Sequence, residues 1–388
     1  MGVQIRAITE YTEKSNRKRI INWIAIVLMM ILYGGTWLSP WFYHVTEFYN
    51  TSITFVILAI LFFNNVPWVK RLKEKDYMLY VLAAAVLIAF VNLVIIKSHF
   101  GCILIVTDFL LVWYLAPNIK FDRKQMEALS VFFFVIFFIW FCYDLAFSYN
   151  SNTGATVTVF SMLAAFVLLT RLYEYKELCG LFIVMAVIRT LNLVLWHLAR
   201  GAFMAFFLFL VFYYIVPRKW WQSRRKYTIL TLLATLGSLV FVFSYVTMAK
   251  TGYNIQIPFF YKNLFSGREE IWTEVFNLFK PHALTGIGSG YELESFFEYN
   301  MHNAMYDIFI VHGVIVFVLS MILIITRLLS LRKHLTSDVS FVAISAIFAM
   351  FFESFIDMDI MWSNYSPVLL FLLLCIFASQ KKDEKGKI

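Results

Sequence analysis

The sequence has little charge and few cysteines or prolines. Asp, Glu, Lys and Arg make up 15% of the 388 residues, whereas 61% are hydrophobic, and the mean hydropathy is +0.74. An ordinary soluble domain carries about 25% charged residues, so this composition excludes one. Apolar segments of about 20 residues, the length that a helix needs to cross a bilayer, recur along the whole chain. The chain is therefore predicted to be an all-α integral membrane protein.

Cysteine chemistry is also excluded. The four cysteines fall in or beside apolar segments, and none forms the Cys-x-x-Cys spacing that is typical of metal or redox sites, so packing is their expected role. The polar N-terminus (residues 1–19) leads into a full-length apolar segment without a signal-peptide cleavage pattern. A cytoplasmic tail is therefore expected there rather than a removable leader.

The apolar segments predict about twelve transmembrane helices in a single polytopic domain that covers residues 1–388. They lie near residues 20–39, 52–69, 77–96, 100–117, 127–147, 155–170, 178–196, 201–217, 227–249, 304–326, 338–356 and 365–379. With the N-terminus inside, only seven of the 33 Lys and Arg residues lie outside the predicted cytoplasmic segments. The positive-inside rule then places both termini in the cytoplasm. Because the basic residues follow the topology, the net charge of +9 does not indicate nucleic-acid binding.

One predicted outer connection, residues 250–302, is far longer than the others, and such loops are usually functional or disordered. Its SGREEIWTEVFNLFK segment predicts an amphipathic helix, with Ser266 and Glu269 as a capping box and an apolar stripe that includes Trp272. This helix is expected on the outer leaflet or on the helix bundle. The glycines of the following TGIGSG (285–290) are expected to let the backbone bend and approach another segment closely.

Three arginines and one histidine are predicted near one depth on the outer side. Arg189 lies inside the seventh predicted span, Arg200 opens the eighth, Arg268 begins the loop helix and His302 precedes the tenth. Guanidinium groups bind phosphate bidentately, and a histidine can accept a proton near neutral pH. The set predicts phosphate handling with a general base: the arginines stabilise a pyrophosphate leaving group while the histidine deprotonates an attacking hydroxyl.

Structural interpretations of these residues stay open. Arg200 could extend to the membrane interface, and Arg189 could pair with Asp144 or Glu353. Asn303, which follows the histidine, could cap the next helix. Asn303 is also a candidate for substrate binding.

Four short motifs occur in a fixed order around the long loop. They are ARGAFMAF (199–206), SGREEIW (266–272), ALTGIGSG (283–290) and MHNAMYDIFIVHG (301–313). Over roughly residues 185–330 this order resembles the bacterial O-antigen ligase and polymerase family. The resemblance implies functional roles for Arg200, Arg268 and His302. Two departures from the family pattern are Ala199, where a serine is usual before the arginine, and Pro-His-Ala-Leu in place of His-Pro-Leu before the glycines.

Further substrate contacts are predicted around the histidine. Tyr306, one turn along the next helix, is a candidate to orient His302 and to bind substrate. The acidic run ESFIDMD contains Glu353, Asp357 and Asp359, which could hold a divalent cation, shape the binding of an acceptor sugar or form a solvated helix end. Glu353 is taken as substrate-binding, and no metal is expected.

The resemblance implies a fold like that of multi-span transferases with polyprenyl-linked sugar donors. It further implies an undecaprenyl-pyrophosphate-linked oligosaccharide as donor, a glycan acceptor, and inverting transfer without a metal or other cofactor. The expected location is the bacterial cytoplasmic membrane, with the active site facing the exterior and a chain-length regulator and a flippase as partners. A polysaccharide polymerase is favoured over a ligase. A transporter is disfavoured because few charges lie near the predicted midplane and no repeat is visible.

Overall fold

The computed structural model describes an almost wholly helical chain. It covers residues 2–96, 98–143, 151–170, 176–197, 199–252, 256–257, 262–263, 265, 267–291, 293–294 and 301–378, without the side chains of residues 2–14, 151, 176, 193–195 and 197. The helices are α1 (Gly2–Leu38), α2 (Pro40–Thr46), α3 (Asn50–Asn65), α4 (Trp68–Lys73), α5 (Tyr77–Ile96), α6 (Phe100–Leu115), α7 (Arg123–Cys142), α8 (Ser151–Leu169), α9 (Lys176–His197), α10 (Arg200–Leu210), α11 (Arg218–Gln222), α12 (Arg224–Thr235), α13 (Gly237–Lys250), α14 (Arg268–Phe279), α15 (Ala304–Leu331), α16 (Asp338–Glu353) and α17 (Ser366–Ala378). A two-residue ribbon pairs β1 (Gln256–Ile257) with β2 (Lys262–Asn263) antiparallel.

The helices have the length and composition of a multi-span membrane protein. Among the described residues, six helices are long and apolar enough to cross a bilayer, and two bent pairs raise the number to eight. The bent pairs are α2 with α3, at 76°, and α12 with α13, at 52°. Two shorter apolar stretches are Arg200–Ile215 and Ser363–Ala378. The all-helical membrane class is confirmed, whereas the number twelve and the topology stay predictions.

The centre of the bundle is formed by helices that are apolar on every side. Residues 339–351 of α16 are all buried, as are residues 366–376 of α17. A helix without a polar face is either surrounded by other helices or exposed to lipid, and the burial of these residues shows that α16 and α17 are surrounded. α16 packs on α8, α10 and α17, so the end of α16 lies inside the bundle beside the start of α10.

α15 is broken, whereas the sequence predicts a continuous span over residues 304–326. Gly313 has φ 84° and ψ 167°, which interrupts the helix after about two and a half turns. The expectation of an unbroken helix here is wrong, because a second segment of the chain pairs with the backbone at the break. That segment is residues 283–288, which contain the first two glycines of the TGIGSG motif.

Backbone hydrogen bonds join the inserted segment to α15. Ile287 N–H donates to the carbonyl of Ile310 at 3.0 Å, and Gly288 N–H donates to that of Val311 at 3.0 Å. In the other direction, Val314 N–H donates to the carbonyl of Ala283 at 2.9 Å. Backbone groups freed by a helix break at membrane depth need such partners, since lipid offers none. The predicted close approach of the glycine segment to another part of the chain is thus confirmed.

Candidate active site

α14 packs on the helix bundle. Ile271, Trp272, Val275 and Phe279 are buried, and the helix contacts α13 and α15. The helix begins after Gly267, whose φ of 89° sets the turn into the first residue, Arg268. The predicted capping residue Ser266 lies outside the described residues. Of the two expected placements, the structure therefore supports the one on the bundle.

Two hydrogen bonds of Trp272 connect α14 to the turn that carries His302. The indole Nε1 of Trp272 donates a hydrogen bond to the carbonyl of Met301 at 2.7 Å. The hydroxyl of Tyr306 donates to the Trp272 carbonyl at 2.8 Å. One residue of α14 therefore bonds to the chain both before and after His302. Tyr306 is fully buried, so its described contacts position the turn, and its predicted contact with substrate stays a prediction.

Asn303 joins the same turn to two other elements. Its Oδ1 accepts hydrogen bonds from Tyr306 N–H at 2.9 Å, as the N-cap of α15, and from the Ser238 hydroxyl of α13 at 2.8 Å. Its Nδ2 donates to the carbonyl of Phe355 at 2.9 Å. Because the residue is fully buried, this geometry favours positioning of the turn over direct binding of substrate.

His302 itself has a strained backbone. Its φ of 50° lies in the left-handed region, which residues other than glycine rarely adopt. Its Nδ1 lies 3.8 Å from Oδ1 of Asp357, and its side chain is 28% exposed. Strain of this kind costs of order 1–3 kcal/mol and is concentrated at functional sites. The arrangement directs Nδ1 towards the carboxylate and leaves Nε2 as the nitrogen that can accept a proton.

The acidic run at the end of α16 lies beside this histidine. Carboxylate oxygens of Glu353, Asp357 and Asp359 all lie within 4.8 Å of one another. We call these three residues the acidic cluster. They have the oxygen ligands and spacing that could hold a divalent cation. The positive charge of Arg268 also acts on Glu353 and Asp357, so cationic side chains of the protein already face the cluster.

The pKa values of Asp357 and Asp359 are shifted in opposite directions. Burial raises the pKa of the Asp357 carboxyl, but its interaction with His302 and the charge of Arg268 outweigh burial and hold that pKa below its ordinary value. Burial, and then the charge of Asp357, hold the pKa of Asp359 well above its ordinary value. A charged partner therefore remains beside the histidine, while the second aspartate favours its protonated form.

Arg200 reaches the site because a glycine follows it. A Cβ on Gly201 would lie 3.1 Å from Oε1 of Glu353, which is a tight contact, so the glycine favours the close approach of α10 to the end of α16. The charges of Arg200 and Arg268 act on each other, so the two guanidinium groups belong to one local environment. The structure thus brings together Arg200, Arg268, His302 and Glu353 from the predicted set.

The described hydrogen bonds of Arg189 are to α7 and α9, unlike the contacts of Arg200 and Arg268. Its Nε donates to the carbonyl of Trp140 at the end of α7 at 2.7 Å, and its Nη1 donates to Oδ1 of Asn192 at 3.0 Å. These bonds support the structural interpretation, in which the buried guanidinium ties α9 to α7. Asp144, one of its predicted partners, lies outside the described residues. The binding of substrate by Arg189 stays a prediction.

Two residues near the acidic cluster carry no signal in the sequence. The hydroxyl of Thr156 in α8 donates a hydrogen bond to Asp359, and the charges of all three carboxyl groups act on the buried Tyr365. Thr156 comes from an apolar segment far from the motifs in the sequence, whereas Tyr365 follows Asp359 by six residues. Only the packing of α8 and α17 on α16 brings them to the site.

Replacing Trp272 with phenylalanine is expected to lower turnover roughly tenfold while leaving the protein folded. The substitution keeps the ring and removes only the bond to the Met301 carbonyl, which leaves a buried acceptor unsatisfied at about 1–3 kcal/mol. Turnover and thermal unfolding of the purified protein measure the two effects. Trp41→Phe is the control, since Trp41 is 73% exposed. Equal turnover in both variants would show that the bond does not position His302.

Comparison with known proteins gives one match. Residues 184–321 match the family model described as O-Antigen ligase. No curated protein and no solved structure matches the chain. The matched segment contains Arg200, Arg268 and His302, and it confirms the family resemblance of the motifs.

Proposed function

Since residues 184–321 carry the O-antigen ligase domain, we propose that this chain is a polysaccharide polymerase that joins undecaprenyl-pyrophosphate-linked oligosaccharide repeat units. The reaction takes place on the outer face of the bacterial cytoplasmic membrane. The observation that carries the proposal is the position of His302, 3.8 Å from Asp357 of the acidic cluster, on which the positive charge of Arg268 also acts.

Arg200 and Arg268 bind the pyrophosphate of the donor. Two guanidinium groups repel each other in one environment, and a dianionic ligand between them removes that repulsion. As the bond between the sugar and the phosphate breaks, negative charge grows on the leaving pyrophosphate. Fixed arginines stabilise this charge without having to reorganise during the reaction.

His302 is the general base. A hydroxyl of the acceptor sugar attacks the anomeric carbon of the donor, and its proton passes to Nε2 of His302. The bond from the anomeric carbon to the pyrophosphate oxygen breaks as the new glycosidic bond forms, so the configuration at that carbon is inverted. Asp357 faces Nδ1 and stabilises the imidazolium that results.

The remaining predicted residues support this arrangement. Asn303 and Tyr306 hold the turn at His302 through their buried hydrogen bonds. Glu353 contributes to substrate binding from the end of α16. No step requires a metal, because the arginines supply the positive charge and the histidine removes the proton.

Reconstitution distinguishes the polymerase from a ligase. Purified protein in lipid nanodiscs is given lipid-linked repeat units extracted from the producing cells, and the products are separated by gel electrophoresis. A ladder of glycan lengths is expected, with the activity retained in EDTA and absent in His302→Ala protein. Transfer of the glycan to a different acceptor without lengthening would instead identify a ligase. Movement of the lipid-linked sugar across vesicle membranes without transfer would identify a transporter.

A further inference from the structure

An open groove lies on the surface of the bundle between α1 and α3. Its volume is about 490 Å³, within the range of about 300–1,000 Å³ that is usual for ligand sites. Ile21 of α1 and six residues of α3, from Phe55 to Asn64, line it, and all of them except Asn64 are apolar. Val56 and Phe63 are 55% and 68% exposed, so this apolar lining faces outwards. The residues of the candidate active site do not line the groove.

The groove has one polar end, because α1 and α3 pack antiparallel. Asn50 Nδ2, at the start of α3, donates a hydrogen bond to the hydroxyl of Thr36 near the end of α1 at 3.1 Å. Asn64 Nδ2, near the end of α3, donates to the carbonyl of Lys18 in the first half of α1 at 2.9 Å. The groove therefore begins within α3 and ends beside Lys18.

Two cationic side chains lie at this end on the side of the groove. Arg17 and Lys18 precede Ile21 by four and three residues, and residues at these spacings share one face of a helix. Both are exposed, and within the part of the chain that the structure describes neither side chain has a hydrogen bond or an ion pair. Arg19 points to another face of α1, where it forms an ion pair with Asp122 at the start of α7. The cations without a partner are thus the two on the face of the groove.

The length of the groove matches one leaflet of a bilayer. Phe55 and Asn64 are nine residues apart in α3, which corresponds to about 14 Å along the helix axis. The hydrocarbon core is about 30 Å thick, so one leaflet spans about half of that. A transmembrane helix of a second copy would contact α1 and α3 over the full thickness, whereas an acyl chain ends near the midplane. The dimensions therefore favour an acyl chain.

From the apolar lining, the length and the cationic end, we infer that the groove binds one anionic phospholipid, with an acyl chain along α3 and the headgroup phosphate at Arg17 and Lys18. Both side chains form charge-assisted hydrogen bonds with phosphate. The charge pattern predicts that this end of the bundle is cytoplasmic, and the cytoplasmic leaflet is the one with a negative surface potential. The lipid site does not depend on the proposed function.

Binding of the lipid is measured by native mass spectrometry of the purified protein released from detergent micelles. The protein is titrated with phosphatidylglycerol or with phosphatidylcholine that carries the same acyl chains. The first phosphatidylglycerol is expected to bind about tenfold more tightly or better than the first phosphatidylcholine. It is also expected to raise the temperature of thermal unfolding, since a ligand of the folded state stabilises it. Equal affinity for the two lipids would overturn the inference.

A double substitution tests the cationic end. Arg17→Gln/Lys18→Gln is expected to weaken the binding of phosphatidylglycerol about 20-fold, or roughly fivefold for each charge removed, and to leave that of phosphatidylcholine unchanged. Arg224→Gln/Arg225→Gln is the control, because it removes the same charge from exposed residues at the start of α12, outside the groove. An equal loss of affinity in both double variants would indicate general attraction to a basic surface and would contradict a specific site.

A larger side chain tests the groove itself. Ala59→Phe places a ring in the groove and is expected to weaken the binding of phosphatidylglycerol at least tenfold. Ala83→Phe is the control, since Ala83 is exposed on α5 and does not line the groove. Thermal unfolding without added lipid shows that both variants are folded. Undiminished binding in Ala59→Phe overturns the inference, and so does a dimer of the parent protein that this substitution removes, because a second copy would then occupy the groove.

Discussion

His302→Ala protein is expected to bind the lipid-linked donor normally and to lose turnover by about 10²–10⁴-fold, the usual contribution of a general base. In the proposed mechanism the arginines hold the donor, so its affinity is not expected to depend on the imidazole. Only the removal of the proton from the acceptor hydroxyl is lost. Single-turnover kinetics with a labelled donor, beside a direct measurement of donor binding, check the two parts separately.

The left-handed backbone at this position requires a second variant. Alanine is strained at φ 50°, whereas asparagine tolerates that region better and cannot act as a base at neutral pH. His302→Asn is therefore expected to be as inactive as His302→Ala while keeping the thermal stability of the parent. His282→Ala, an exposed histidine of the same loop, is the control and should keep full activity. Near-normal turnover in His302→Asn would exclude the base assignment.

Gly286→Ala is expected to have the largest effect on stability, enough to abolish the folded protein in detergent extracts. A Cβ at this position would lie 2.6 Å from the carbonyl carbon of Val311 and 2.7 Å from the amide nitrogen of Gly313. Both atoms are backbone, so no rotation of a side chain can relieve the clash. Its φ of 77° is unfavourable for alanine as well. Yield and thermal unfolding measure the loss.

Gly101→Ala serves as the control for this substitution. Gly101 lies in α6, and a Cβ there would meet no atom within 4 Å. Alanine in a helix is favoured over glycine by roughly 0.5–1 kcal/mol, so the control is expected to be as stable as the parent or slightly more stable. If Gly286→Ala unfolded at the temperature of Gly101→Ala, the insertion of residues 283–288 into α15 would not contribute to stability.

Helix positions could be predicted from the sequence because apolar length and short polar breaks determine them directly. α5, for example, covers the predicted residues 77–96. The break in α15 could not be predicted from the sequence, since an apolar run with one glycine is compatible with a straight helix. The φ of 84° at Gly313 depends on a backbone segment, residues 283–288, that lies 25 to 30 residues earlier in the chain. A contact of this kind leaves no periodic signal.

The candidate site was predictable in part for a related reason. Charged residues at span ends are conspicuous in an apolar sequence, so the sequence alone predicts Arg200, Arg268 and His302 as site residues. Asn303 and Tyr306 were also selected, but a sequence cannot distinguish a buried hydrogen bond that holds a turn from a contact with substrate. Thr156 and Tyr365 were missed because hydroxyl residues inside apolar helices are common and gain a role only through their neighbours.

The attachment of α14 at two places has a consequence for how the proposed polymerase would bind a growing glycan. The helix is fastened near its start through Trp272, and the segment that follows its end is bonded into the middle of α15. A helix held at both ends cannot act as a lid that closes over each new substrate. The spacing between the cation at its first residue and the imidazole is then a constant of the architecture. If the chain is the proposed polymerase, each elongation cycle is expected to occur by sliding of the glycan past a fixed site, with catalysis that depends on preorganisation rather than on closure.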